Sequence, residues 1–168
     1  KIMLKWYVIN TKANNELLAI KKLKKENYNV YCPMYLSVVK HARKIRKILK
    51  PFFPGYLFIK LDIEKDSWIP INHMIGVKKL LDDGKFPIAL DQGIIDEILS
   101  LQNNQGFIDN VELDLFKINQ EVIVNDGPFQ GLKGTFKGLS AGQRVEVLLN
   151  MLGRKLTVKF NSLQISAI

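Results

Sequence analysis

The chain has 168 residues, 47% hydrophobic and 24% charged, which suits one ordinary domain or two small ones and excludes a disordered composition. No apolar run approaches the roughly 18–20 residues of a membrane helix, and one cysteine with two histidines allows neither an internal disulfide nor an ordinary structural zinc site. The net charge of +9 is unevenly placed: residues 1–50 hold 13 Lys/Arg against Glu16 and Glu26, while the other 118 residues hold 12 basic and 14 acidic side chains. Such a segment is the footprint of a polyanion, nucleic acid above all, or else a solvated basic face. Lys1–Asn10 lacks a long apolar stretch ending in a small-residue cleavage site. The expectation is a cytoplasmic, monomeric protein with no cofactor, no metal and no membrane partner.

In chain order, Lys5–Asn10 alternates and is rich in β-formers, so it predicts a strand. Ala13–Glu26 changes period: Ala13, Leu17, Ile20 and Leu23 form an apolar helical stripe, with Asn14 or Asn15 near its start and Lys21, Lys22, Lys24 and Lys25 on the other face. Asn29–Val39 predicts a second strand region, interrupted by Pro33 as at an edge or a bulge. His41–Lys50 lies between two strand-like runs and predicts a projecting basic hairpin. Gly55–Asp62 alternates, with Tyr56, Phe58 and Lys60 on one face and Leu57, Ile59 and Leu61 on the other. Ser67–Asn72 is short and broken by Pro70. Gly76–Leu81 predicts a strand ahead of the turn Asp82-Asp83-Gly84, and Asp91 caps a helix with apolar Ile94, Ile95, Ile98 and Leu101. Residues 1–102 thus have an α+β pattern.

Residues 103–116 change composition to Gln-Asn-Asn-Gln-Gly followed by acidic residues, and predict a linker. Residues 117–168 then predict short strands at Glu121–Asn125, Lys133–Leu139, Arg144–Asn150 and Lys155–Phe160, joined by turns at Asp126-Gly127-Pro128, Ser140-Ala141-Gly142 and Leu152-Gly153. This is the pattern of a small SH3-like β-barrel.

Three stretches resemble the NusG family of transcription factors. They are Trp6-Tyr7-Val8 before the amphipathic helix, Lys50-Pro51-Phe52-Phe53-Pro54-Gly55-Tyr56-Leu57-Phe58, and the KOW-like Val124-Asn125-Asp126-Gly127-Pro128-Phe129-Gln130-Gly131-Leu132-Lys133-Gly134. Within that family, Tyr31-Cys32-Pro33-Met34, Ser67-Trp68 and Val147-Leu148-Leu149-Asn150 look more like the RfaH-type paralogues than like housekeeping NusG. The resemblance implies a NusG-type N-terminal domain, an antiparallel sheet flanked by helices, followed by a C-terminal SH3-like β-barrel with a KOW motif. An α-helical hairpin is the alternative state for that second domain.

It also implies a transcription elongation or antitermination factor, acting on particular operons and not an enzyme. Phe52, Phe53, Tyr56 and Phe58 would bind the clamp region of RNA polymerase, with Tyr56 and Phe58 together on an exposed face. Lys12, Lys22 and Lys25 fall on positions that contact non-template DNA of the transcription bubble, whereas Leu18, Glu26, Met74 and Ile75 depart from that pattern. Arg43, Lys44, Arg46 and Lys47 of the hairpin would reach upstream DNA or the far side of the polymerase cleft. In the C-terminal domain, Phe129 and Arg144 would meet a partner, a small-subunit ribosomal protein or Rho, or the other domain. Lys50 stands where the paralogues carry the acid that pairs with the counterpart of Arg144, so that interdomain lock is expected to be absent.

Competing classes fare less well. Asp82, Asp83, Asp91, His41 and His73 show no nucleophile-and-base arrangement, and no phosphate loop or dinucleotide fingerprint is present. A housekeeping NusG-like factor or a KOW-containing ribosomal or RNA-binding protein remains the alternative, although the aromatic cluster at 52–58 argues against a ribosomal role.

Overall fold

The computed structural model describes residues 1–108, 121–124, 133–135, 144–145, 148 and 165–167. The chain divides into two compact units, Lys1–Asp109 and Asn110–Ile168.

The first unit is built on a five-stranded antiparallel sheet. Strand β1 (Lys5–Thr11) is central and pairs on one side with β5 (Tyr56–Leu61), whose other edge carries β2 (Asn29–Tyr31). On its other side, β6 (Val77–Leu80) pairs with the C-terminal half of β1 and β7 (Ala89–Leu90) with the N-terminal half. Because β1 and β2 are both antiparallel to β5, they run parallel to each other, and helix α1 (Glu16–Lys25) makes the crossover between them. Between β5 and β6 lies a short 3-10 helix, Ile69–His73, with Pro70 in its first turn, where a missing N–H does no harm.

Helix α1 starts later than its apolar pattern predicts, because Asn14 takes the left-handed conformation with φ 57°. The buried stripe also shifts, to Glu16, Ala19 and Leu23, leaving Leu17 67% exposed. Gly76 explains the shift. A Cβ there would lie 3.0 Å from Ala19 N and 3.1 Å from Asn15 O, so the chain passes directly over the backbone of the first turns. The helix ends in a Schellman motif: Tyr28 N–H donates to Leu23 O at 3.1 Å and Asn27 N–H to Lys24 O at 3.0 Å, with Asn27 at φ 65°.

On the α1 side of the sheet, Tyr7, Ile9, Leu57, Ile59, Leu61 and Leu80 pack with Ala19, Leu23, Ile71 and Val77. The alternation in β5 is as expected, but its second face is not exposed. Phe58 is fully buried, as is Val8 of β1. Helix α2 (Gln92–Ser100) is capped by Asp91, whose carboxylate accepts from Gly93 N–H at 2.7 Å, and it buries Ile95 and Ile98.

The Asn29–Val39 region is two strands. After β2 the chain turns at Cys32-Pro33 and leaves the main sheet, and β3 (Met34–His41) pairs with β4 (Lys44–Pro51) in a separate two-stranded ribbon. His41 pairs with Lys44 across the tip, and Ala42 and Arg43 have φ 46° and 63°. Two consecutive positive values are those of a two-residue type I′ turn, whose twist matches that of the flanking strands. At the base of the ribbon, Gln102–Ile108 folds back as a tight turn: Ile108 N–H donates to Met34 O at 2.8 Å, and the Ile108 side chain is fully buried. Residues 103–108, expected as the start of a linker, are therefore packed into the first unit. Their polar composition serves the turn, where the Asn103 carboxamide accepts from Gln105 N–H.

In the second unit the described residues include a three-stranded antiparallel sheet of β8 (Glu121–Val124), β9 (Lys133–Thr135) and β10 (Ile165–Ala167), with β8 in the middle. Arg144, Val145 and Leu148 are helical, which corrects the strand expected at these three positions; the rest of Arg144–Asn150 lies outside the described residues. Phe129, the KOW-like turn and the alternating Leu156, Val158 and Phe160 lie outside the described residues.

Candidate functional site

The Pro54-Gly55 turn between β4 and β5 is fixed from three directions. Gly55 N–H donates to Glu16 Oε1 at 2.8 Å, while Gly55 O accepts from Thr11 N–H at 2.8 Å and from Asn10 Nδ2 at 3.0 Å. Glu16 is 8% exposed, so its carboxylate joins the first turn of α1 to the turn that precedes β5. A charge-assisted bond of this kind contributes roughly 1.5–3 kcal/mol. Beside the turn lies a shallow cleft of about 390 Å³ lined by Asn10, Lys12, Asn14, Glu16, Tyr56 and Lys78, among others. It brings Lys12 and Tyr56 together, two residues that the sequence assigned to different partners. The residue missed by sequence reading is Lys78, which reaches the cleft because β6 lies beside the end of β1.

The remaining aromatic residues of the 52–58 segment form a continuous ladder. Trp6 contacts Tyr31 with centroids 6.4 Å apart, Tyr31 stacks on Phe58 at 6.1 Å, and Phe58 meets Phe53 edge-on at 5.8 Å. Phe53 meets Phe52 at 4.9 Å, and Phe52 meets Tyr35 at 6.3 Å. Each such pair is worth about 0.5–1.5 kcal/mol beyond area burial. Phe52, Phe53 and Phe58 are buried, at 1%, 7% and 0% exposure, which corrects the expectation that Phe58 shares an exposed face with Tyr56. Rings from β1, β2, β3 and β5 and from the turn at Phe52-Phe53 cover one another; within this ladder Tyr31 and Tyr35 remain half-exposed, and Tyr56, outside it, is half-exposed as well. Burial pushes the Tyr31 hydroxyl up to about 12, and that hydroxyl is within hydrogen-bond distance of Gln102 Oε1, at 2.9 Å. Burial, and then the Glu16 carboxylate, pushes the neighbouring Cys32 thiol up to about 12 as well.

The cations fall in two groups. Lys22 and Lys25 lie on α1, Lys25 exposed and Lys22 half-buried, and Lys12 is exposed just before the helix. Arg43, Lys44, Arg46, Lys47 and Lys50 are all exposed on the ribbon. Among the described residues the ion pair seen is Lys79–Asp82 at 3.3 Å, and none of these cations has a carboxylate partner. No group of three or more potential metal-ligating side chains occurs among the described residues, nor does a helix long and apolar enough to cross a membrane. Arg144 is 5% exposed and engaged by neighbours, so in this state it is not presented to a partner.

Residues 4–99, more than half of the chain, match the family model described as transcription termination factor nusG. The chain belongs to the NusG family. It is 27% identical over 172 residues to the "Transcription termination/antitermination protein NusG" of Rickettsia prowazekii, covering 95% of this chain and 88% of that protein. Identity to the protein of the same name from Bacillus subtilis is 27% over 175 residues, covering 95% and 96%. A solved structure described as "Domain interaction in Thermotoga maritima NusG" aligns with 82% of this chain and 81% of its own, at 18% identity and a TM-score of 0.42. In a NusG-family chain the match over 4–99 includes both the Gly55 turn and the whole ribbon, so the site lies within the family's shared region.

Proposed function

We propose that this chain is a transcription elongation and antitermination factor, specialised in the RfaH manner for particular operons, that binds RNA polymerase and reduces pausing or termination without performing chemistry. The observation that carries this reading is the membership of residues 4–99 in the NusG family, joined to a surface where Tyr56 and unpaired lysines share one cleft. Tyr56, with the edges of Tyr31 and Tyr35, meets the clamp region of the polymerase, and Phe52, Phe53 and Phe58 hold that surface from beneath. Lys12, Lys22 and Lys25 face the non-template strand, and Arg43, Lys44, Arg46 and Lys47 add attraction for DNA. Phosphate contacts of this type supply affinity without reading bases. By stabilising the active state of the polymerase relative to the paused one, such binding shifts a population and requires no catalytic group.

Residues 117–168 act in the same reading as a KOW-type barrel that recruits a small-subunit ribosomal protein or Rho, with Phe129 at the contact, and the residues after Ile108, up to 116, connect the halves. A general, housekeeping role is the second reading, favoured by the shared name of the Rickettsia and Bacillus relatives.

The test is co-purification and competition binding of the full chain with a reconstituted bacterial elongation complex. Tyr56→Ala removes a half-exposed anchor and should weaken binding by about 2 kcal/mol, roughly thirtyfold. Unchanged affinity would refute the assignment of that surface, and absence of binding by the unaltered chain would refute the polymerase reading itself.

A further inference from the structure

Glu16 is an acid on a buried stripe whose other members, Ala19 and Leu23, are apolar. It is one of two acids among residues 1–50, and the other, Glu26, is exposed. The helix dipole favours an acid in the first turn, but an outward-pointing glutamate would serve it equally, so the dipole does not explain the burial. Taking a carboxylate out of water is unfavourable unless it is hydrogen-bonded. The bond Glu16 makes is with Gly55 N–H, across 39 residues of sequence.

Gly55 immediately precedes Tyr56, and the peptide groups on both its sides are held. Glu16 holds the first through Gly55 N–H, and Thr11 N–H and Asn10 Nδ2 hold the second through Gly55 O. Tyr56 N–H closes the turn onto Phe53 O at 3.0 Å, and Asn10 is also the residue opposite Tyr56 in the pairing of β1 with β5. Phe53 and Phe58 are held by neighbouring rings, whereas Tyr56 lies outside that ladder. Its place is therefore set through its backbone, and the contribution of α1 to that backbone is Glu16.

We propose that Glu16 is a positioning residue for the polymerase surface: by accepting from Gly55 N–H it fixes the place of Tyr56 in the cleft that both residues line. This rests on the polymerase reading above and adds a residue that acts through Tyr56 rather than by touching the partner. The role needs an acceptor at that reach, not a charge. Glutamine keeps the acceptor; methionine has similar length, suits a buried helical stripe and lacks it.

The experiment uses the full chain with Glu16→Gln, Glu16→Met or Glu16→Ala, each alone and combined with Tyr56→Ala, and circular dichroism verifies folding. The first readout is hydrogen exchange of the Gly55 amide in the free protein. It should speed up by roughly tenfold or more in the Met and Ala variants and stay slow in the Gln variant. The second is affinity for the reconstituted elongation complex. Glu16→Met should bind about threefold to thirtyfold more weakly, the upper figure being the loss expected on removing the Tyr56 ring itself. Glu16→Gln should bind within about twofold of the unaltered chain. In the Tyr56→Ala background, Glu16→Met should cause no further loss beyond about twofold, because its effect passes through a ring already absent. A merely structural role would lower the urea midpoint without producing either the rescue or this non-additivity.

Unchanged exchange of the Gly55 amide in both the Met and Ala variants would overturn the proposal, and so would full affinity in both. Losses that add to that of Tyr56→Ala would mean that Glu16 touches the partner directly. A Gln variant as weak as the Met variant would make charge the cause and refute the acceptor role. Failure of the unaltered chain to bind the elongation complex sinks the polymerase reading, whereas variants that bind as well as an unaltered chain that does bind sink this proposal alone.

Discussion

Replacing Gly76 by alanine tests how the Lys12 end of the site is positioned. Gly76 has φ 89°, and a Cβ there would meet Ala19 N at 3.0 Å and Asn15 O at 3.1 Å. The left-handed conformation costs an L residue about 1–2 kcal/mol. The contact adds an overpacking cost of about 1–3 kcal/mol, because the opposing atoms are helix backbone and cannot swing aside. The expected destabilisation is therefore about 2–5 kcal/mol. Gly84 is the internal control: it has φ 100° with nothing within 4 Å of the added Cβ, so Gly84→Ala should cost only the conformational part, about 1–2 kcal/mol.

Urea unfolding of the full chain, followed by tryptophan fluorescence, measures both variants. Trp6 and Trp68 both lie in the unit Lys1–Asp109, so the signal reports that unit. With a urea dependence of about 2 kcal/mol per molar, Gly76→Ala should lower the midpoint by about 1 M or more, and Gly84→Ala by no more than about 1 M. Equal shifts for the two variants would refute the close approach of residue 76 to α1. Since Gly76 O accepts from Lys12 N–H at 2.9 Å, the same displacement should weaken whatever Lys12 contacts.

Two further outcomes are expected. With its thiol pushed up to about 12 by burial and by Glu16, Cys32 carries almost no thiolate at pH 8, so a disulfide reagent should modify it only after unfolding. Modification of the native chain at the rate of a free thiol would contradict that environment. At the ribbon tip, Ala42→Asn with Arg43→Gly supplies the residues a type I′ turn prefers and should stabilise β3–β4 by about 1–2 kcal/mol. Slower hydrogen exchange of the ribbon amides would report this, and unchanged exchange would mean the positive φ values carry no strain.

The local devices of the first unit were legible because they depend on near neighbours in the chain. Alternation located β1 and β5, Asp91 marked the start of α2, and the run from His41 to Lys50 marked a basic hairpin. The family too was readable, since the motif around Phe52–Phe58 is contiguous. Misjudged features were those decided by what packs from elsewhere. The apolar stripe of α1 was displaced because Gly76, distant in sequence, lies on Ala19. Residues 103–108 read as linker because their composition is polar, yet one buried Ile108 and its hydrogen bonds to β3 bind them to the first unit.

The sequence by itself determined which residue types this protein has for binding a polyanion and an apolar partner, because charge and aromatic content are properties of composition. Only the tertiary structure decided which of them can be touched. Phe58 alternates with Leu57 as expected, but it is covered, with the rings of Tyr31 from β2 and Phe53 from the turn before β5 against it, whereas Tyr56 lies at the end of β5 and stays half-exposed. Likewise, alternation along β4 could sort its cations by parity, but only the pairing register with β3 shows what each row shares its face with. Burial and register are relations between segments far apart in the chain, and no window of sequence contains both partners.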